Sequence, residues 1–510
     1  MKVLKPKKRV CIPENKIKAG VKEFLNPASP NLKKKQRPNS ALEKPKKNIK
    51  SQSGNEGKKK VKNPWQSVRK KSVRERDLVI GFDLGTSSTK IVIQDRQLRK
   101  AYAVPFDEIN TTGNKYLLPT RLYCDKRGHF FLNSRSTKVT HIKENFMENP
   151  QGESQDLVVA YIAFVLMEIC HWFWREKQRD YADSKIEWAL NIGIPARSWD
   201  DTKLSKAMRE AGLAAWNLSL TPKKSISIRD IENSMGEARE QIKKDGCNEK
   251  KGQLHSDLVK PVPELVAAVE GFAKSRSRRD GMYLIVDVGA TTLDISTFIL
   301  YKNQEEEDTY SILSSDVQLL GAYNLHSHRI DSAIRIYQNK IRKQVESYDG
   351  ISALPDLSLY QPKIGNKDDE KLLYDDECYL NECSKVLRKV VRETKKCRNP
   401  LSDAWTSGVP SFLCGGGSHV ELYKKLIPHS SKKLSKAGIR SLFMRDLPKP
   451  KNLENDDILP QEYHRLAVSY GLSFSTDSMG RIIPERDIED LIYEPSKSKV
   501  VNRYIGKEMV

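Results

Sequence analysis

Two passages of the chain share one order of apolar and polar positions. Leu78 to Ile93, LVIGFDLGTSSTKIVI, and Tyr283 to Leu300, YLIVDVGATTLDISTFIL, each begin with an apolar run and reach Asp-x-Gly. Each then passes through small hydroxyl residues and leaves on a β-branched run, the pattern of a hairpin with a polar turn. Lys115 to Leu132 predicts two further strands around Asp125-Lys126-Arg127-Gly128, giving at least three antiparallel strands in this half. Leu157 to Trp174 is almost wholly apolar, but Glu168 and His171 interrupt it and its length is marginal for a bilayer, so it predicts a buried core helix and no transmembrane segment. Glu187 to Pro195 predicts a buried strand, and Ser198 to Leu213 a helix capped by Ser198 or Asp200. Lys223 to Lys260 turns polar and predicts an inserted, partly exposed region with a helix over Ile231 to Lys244. Glu264 to Phe272 returns to a compact apolar helix.

In the second half, Tyr310 to Leu319 predicts a strand, followed by helices at Leu325 to Val345 and Leu372 to Lys396. Ser411 to Ile427 joins a short apolar strand to Gly415-Gly416-Gly417 and then a helix. Ile439 to Leu447 predicts a strand, Glu462 to Phe474 a helix, and the remainder a polar tail. Strands alternating with helices in this way indicate an α/β protein.

The charge is unevenly placed. Residues 1–76 hold 25 of the 89 Lys+Arg and 5 of the 66 Asp+Glu, so they carry +20 of the net +23. Such an arm has too little apolar surface to offset ordering entropy and is expected to be disordered. Its charge suits nucleic acid, anionic membrane or an acidic protein, and equally a solubilising tail. Trp65 is its only tryptophan, so aromatic residues are not interleaved as a stacking platform requires. No apolar stretch follows the first lysines as a signal peptide would need. The eight cysteines show no CxxC and no metal-site spacing, and a reducing, cytoplasmic setting is expected.

The chemistry lies in the repeated Asp-x-Gly turns. Glycine lets backbone approach a ligand, successive N–H groups bind anionic oxygens, and the carboxylate offers a hard oxygen to Mg²⁺ or its waters. Asp83 and Asp287 are thus candidate metal-site residues, and the glycines from Gly415 give a ligand a place to lie against backbone before a fresh helix start.

Together these motifs resemble the actin, sugar kinase and heat-shock protein 70 ATPase superfamily, most closely the nucleotide-binding domain of the 70-kDa heat-shock chaperones, over Leu78 to Phe474. The resemblance implies a two-lobed actin-like ATPase fold, with duplicated ribonuclease H-like lobes around a central nucleotide cleft. It implies lobe I over 77–280, lobe II over 281–460, an interlobe helix at 461–475 and a tail at 476–510. GFDLGTSSTK resembles the first phosphate loop and implies phosphate contacts from Gly85, Thr86 and Ser87. VDVGATTLD resembles the second, implying roles for Gly289, Thr291 and Thr292 at the γ-phosphate, with Asp294 behind. FLCGGGSHVE resembles the adenosine motif, with Gly415, Gly416 and Gly417 at the nucleoside and His419 where the family often stacks an arginine. PELVAAVEGF places Glu264 beside the metal and attacking water. The implied ligands are ATP or ADP with Mg²⁺, and the implied reaction is slow hydrolysis of ATP, catalysed by Asp83, Glu264, Asp287 and Thr292. The sequence departs from the family at Ala290 and Thr291, and no residue around Lys138 or Lys143 matches its phosphate-contacting lysine. The 36 residues after Phe474 leave no room for a peptide-binding domain, so a nucleotide switch acting on a separate protein partner is expected. A filament-forming ATPase, a degenerate nucleotide-binding scaffold and a small-molecule kinase remain alternatives.

Overall fold

Sixteen strands are distributed over three sheets in the computed structural model, which describes residues 63–66, 74–109, 113–199, 201–249, 258–337, 348, 350–351, 353–362 and 369–489. All of these belong to one unit, Val61–Val510. The strands in chain order are β1 (Arg74–Asp83), β2 (Ser88–Asp95), β3 (Lys100–Ala103), β4 (Leu118–Pro119), β5 (Leu122–Cys124), β6 (His129–Phe131), β7 (Thr137–Val139) and β8 (Ser184–Ile194). They continue with β9 (Ile226–Ser227), β10 (Val259–Pro263), β11 (Gly281–Val288), β12 (Leu293–Lys302), β13 (Asp308–Gln318), β14 (Val409–Cys414), β15 (Leu442–Arg445) and β16 (Arg481–Ile483).

The first sheet runs β10-β8-β1-β2-β3, with β4 added on β2, and the second runs β15-β14-β11-β12-β13-β16. Five strands of each follow the same plan. The leading hairpin and its third strand are antiparallel, and two later strands add in parallel on the other side of the first strand. The repeat seen in the residues is therefore also a repeat of topology. The third antiparallel strand of the first sheet is β3, not the segment after Lys115. That segment gives β4, whose Leu118–Pro119 pair with β2, and β5 and β6, which join β7 and β9 in a separate four-stranded sheet. Its turn forms where the sequence places it: Asp125 Oδ1 accepts from the N–H groups of Arg127 and His129, and Gly128 supplies a φ of 77°.

Among the described residues, the α-helices longer than four residues are α1 (Ile142–Glu148), α2 (Glu153–Glu176), α3 (Thr202–Ser219), α4 (Ile228–Glu249), α5 (Glu264–Ala273), α6 (Ala322–Tyr337), α7 (Asp369–Glu393), α8 (Glu421–Leu434) and α9 (Ala467–Leu472). By length and composition α2 is apolar enough to cross a membrane, yet 83% of its apolar window is buried inside the protein against α3 and the first sheet. Burial explains its composition, because a helix covered on most sides has no polar face to keep. The cap of α3 is Asp201, whose carboxylate accepts from the N–H groups of Lys203 and Leu204, while Asp200 lies outside the described residues. The polar insert forms α4, which buries Ile231, Met235 and Ala238 against α3 and exposes its charged face. On α7, Lys389 pairs with Asp316 of β13 at 2.7 Å.

The predicted last helix is split, with a 3₁₀ turn at Pro460–Arg465 preceding α9. α9 lies between α5 and β1 at backbone distance. A Cβ on Gly471 would sit 1.8 Å from the Ala267 carbonyl oxygen, and one on Gly81 would sit 2.1 Å from that of Ser469. Only glycine permits these approaches. The side-chain amide of Asn191 then donates to the Leu472 and Phe474 carbonyls, tying the end of α9 to β8. The predicted polar tail also contributes structure, for β16 pairs in parallel with β13. Of the predicted disordered arm, residues 1–62 and 67–73 lie outside the described residues, Trp65 is buried, and Arg74–Arg76 begin β1.

Candidate functional site

The hairpins put their polar turns at the ends of equivalent strands in the two sheets, and both turns line one cavity of about 320 Å³. Asp83 closes β1 and is 7% exposed. The turn after it is held from behind: Thr120 accepts into its own network from Thr89, donates to the Gly85 carbonyl at 2.7 Å, and its N–H donates to Ser87. The Tyr161 hydroxyl on α2 donates to Thr89, so a line of hydroxyls runs from the core helix to the loop. A Cβ on Gly85 would meet the Ser88 carbonyl at 2.3 Å, which fixes that position as glycine.

Asp287 is the penultimate residue of β11, and the turn that follows is held by the start of α6. The Ala322 N–H donates to Gly289, the Tyr323 N–H to Ala290 and the Asn324 amide to Thr291. The Thr291 hydroxyl reaches Thr86 of the first turn at 3.4 Å. The glycine run follows β14, and the Gly417 N–H donates to Val288 of the second turn at 2.8 Å. Gly415 has a φ of 84°, and a Cβ there would lie 2.1 Å from Asp287 Oδ1. The third element is thus built directly against the second, because neither glycine has a side chain to keep them apart.

Glu264 enters from α5. It follows Pro263, which starts the helix with a preset φ of −61°, and its carboxylate accepts from Lys143 Nζ at 2.7 Å. Lys90 on β2 lies 3.2 Å from Asp83 Oδ2. The cavity is therefore lined by six acids, Asp83, Glu144, Glu148, Glu264, Asp287 and Asp294, and by the two lysines Lys90 and Lys143. Desolvation, reinforced by Glu264 and Asp83, pushes Asp287 up to about 7. Desolvation and then Asp287 push Asp294 to about 7 as well. Burial holds Glu264 above the usual carboxylate range despite Lys143. Burial also opposes charge on Lys143, but Glu264 and Asp83 outweigh it and hold the ammonium above its ordinary value. This is a crowded, electronegative floor that favours a cation.

Every site residue named from the sequence lines this cavity except His419: Asp83, Gly85, Thr86, Ser87, Glu264, Asp287, Gly289, Thr291, Thr292, Asp294, Gly415, Gly416 and Gly417. His419 lines a neighbouring cavity of about 950 Å³ that meets the first at Gly416 and Arg465. Burial and then Arg465 lower the pKa of His419. The basic group facing the glycine run in the first cavity is Arg465, which donates to the Ile351 carbonyl at 3.0 Å. Sequence reasoning did not assign Lys90, Lys143 or Arg465. Lys90 closes the GFDLGTSSTK motif itself and alternates with the loop on β2, a signal that was present. Lys143 meets Glu264 only through the tertiary fold, across 121 residues. No protein-family model matches the chain, and no curated protein matches it.

Proposed function

We propose that the chain is a Mg²⁺-dependent ATP-binding and ATP-hydrolysing switch of the actin-like, two-lobed class, most similar to the nucleotide-binding domain of 70-kDa heat-shock chaperones and acting on a separate partner. The observation that carries this reading is the convergence of the two Asp-x-Gly turns, from topologically repeated sheets, with the glycine run on one acid-floored cavity. The donor set fits the ligand. Among the described residues no three His, Cys, Asp or Glu side chains form a ready metal cage. Mg²⁺ is ordinarily held by one or two carboxylates together with water and phosphate oxygens, so Asp83 and Asp287 suffice. The bound ion supplies charge neutralisation for phosphoryl transfer.

The residues divide the work by chemistry. Backbone N–H groups and hydroxyls of Thr86, Ser87, Thr291 and Thr292 receive anionic oxygens, while the N–H groups of Gly85 and Gly289 close their turns on the Asp83 and Thr292 carbonyls. Lys143 and Lys90 contribute positive charge beside the same floor, and the Lys143 ammonium fixes the Glu264 carboxylate that orients the attacking water. Gly416 and Arg465, shared with the larger cavity, give the nucleoside a path toward His419. Binding across both sheets makes closure depend on nucleotide state, the basis of a switch.

The test is phosphate release from ATP by purified protein, with Mg²⁺ and with chelator, compared with Asp287→Ala. The expected result is slow Mg²⁺-dependent release that the substitution abolishes while secondary structure is kept. Equal release from the substituted protein would sink the assignment.

A further inference from the structure

Trp65 sits in the most basic part of the sequence, yet it is 1% exposed. Its indole stacks on Trp216 of α3 at 4.5 Å and meets the edge of Trp188 of β8 at 5.0 Å. The indole N–H donates to Ser219 at 2.9 Å. Around it, the receiving side chains are completed by this segment. The Trp174 indole donates to the Pro64 carbonyl at 2.8 Å, and the Trp188 indole donates to the Trp65 carbonyl at 2.9 Å. Gln66 then imitates a paired strand: its amide donates to the Ile186 carbonyl at 2.8 Å and its side-chain oxygen accepts from the Ile186 N–H. It does so where β8 has β1 on one side and β10, which pairs only from Leu190 onward, has not yet begun on the other. Asn63 caps the turn by accepting from the Trp65 N–H.

These are the features of peptide recognition: one aromatic anchor in a deep pocket, indole donors for successive carbonyls, and a sheet position left open for pairing. None of these residues lines the nucleotide cavity. We propose that the pocket of Trp174, Trp188 and Trp216 is a binding site for a Pro-Trp-Gln peptide in a turn, reversibly occupied by the chain's own residues 63–66. The site is independent of the nucleotide reading. Residues 1–62, which precede that segment in the sequence, hold 20 Lys+Arg against 4 Glu. Linkage to β1 through seven residues makes the contact intramolecular, with an effective concentration on the order of millimolar. The intact chain is therefore self-occupied, and an added peptide competes poorly. A partner presenting the same short motif, or one that captures Trp65, exchanges with it.

The test uses the full chain carrying Trp65→Ala and a fluorescent peptide of residues 60–70, followed by anisotropy. The expected result is saturable binding to Trp65→Ala, at least about tenfold weaker binding to the unsubstituted protein, and loss of binding when the peptide carries alanine at its tryptophan. The alanine peptide has the same charge, so attraction to acidic surface is separated from pocket recognition. No binding to a folded Trp65→Ala protein, or equal binding to both proteins, overturns the proposal. If Trp65→Ala does not fold, a protease site placed within residues 67–73 of the full chain replaces it. After cleavage the released segment is expected to co-elute with the fold and to be displaced by excess peptide. Retention against excess peptide would make the segment a permanent part of the core and overturn the proposal.

Discussion

Replacing Gly471 by alanine tests whether α9 is held by backbone contact. The added Cβ would lie 1.8 Å from the Ala267 carbonyl oxygen and 2.5 Å from its carbon. Carbon needs roughly 3.5 Å from a non-bonded heavy atom, so α5 and α9 must part by about 1.5 Å. No rotamer change relieves it, because both partners are backbone. Overpacking of this kind costs about 1–3 kcal/mol, and here the upper end applies, less a helix-propensity gain of about 0.5–1 kcal/mol. A net loss of about 2 kcal/mol is expected. Gly236 on α4 is the control, since it is exposed and a Cβ there meets nothing within 4 Å. Gly236→Ala should gain about 0.5–1 kcal/mol from propensity alone. Urea unfolding followed by tryptophan fluorescence and circular dichroism measures both. Should Gly471→Ala match the parent within about 0.5 kcal/mol, the close crossing of α5 and α9 is wrong.

Lys143→Met should destabilise the protein by about 3 kcal/mol by leaving Glu264 without its partner, and Lys143→Met/Glu264→Leu should recover most of that loss in the same denaturation assay; no recovery would refute the pairing. Gly415→Ala combines a φ of 84° with a Cβ 2.1 Å from Asp287, so calorimetric affinity for Mg·ATP should fall at least about tenfold. An unchanged affinity would remove the glycine run from the site. Glu270 on α5 is fully buried, its neighbour Tyr310 donates to it, and burial pushes its carboxyl up to about 7. The folded state therefore holds this proton more tightly than the unfolded chain. Stability from this group is complete below the ordinary carboxyl range near 4.5 and is lost as pH rises through 7, on the order of 3 kcal/mol in all. Glu270→Gln should flatten that decline between pH 5 and 8, and an equally steep decline in the variant would place its cause elsewhere.

The paired loops were legible because their chemistry and their strands are written in the same dozen residues. An apolar run into Asp-x-Gly carries both the hairpin and the site, and Glu264 announces itself by opening an apolar helix after proline. What was not legible depends on long-range approach. Lys143 lies on the seven-residue helix α1 and has no local feature that foretells Glu264. His419 belongs to the right loop but turns into the adjoining cavity, leaving Arg465, from a different element, to face the glycines. Trp65 was hidden by its neighbours, since a basic stretch argues against burial until three distant tryptophans are brought around it.

The seat of α9 sets a schedule for synthesis. The strands of the first sheet are all made once Pro263 has been added, but the helix that covers Gly81 and satisfies Asn191 ends at Leu472. At about 5–20 residues per second, the roughly 200 residues between them take about 10–40 seconds. For that interval the first sheet lacks the helix that covers Gly81, and the Asn191 amide is left to water. The sheet's assembly is completed from the far end of the chain, and protection by a holding chaperone is most valuable in those seconds.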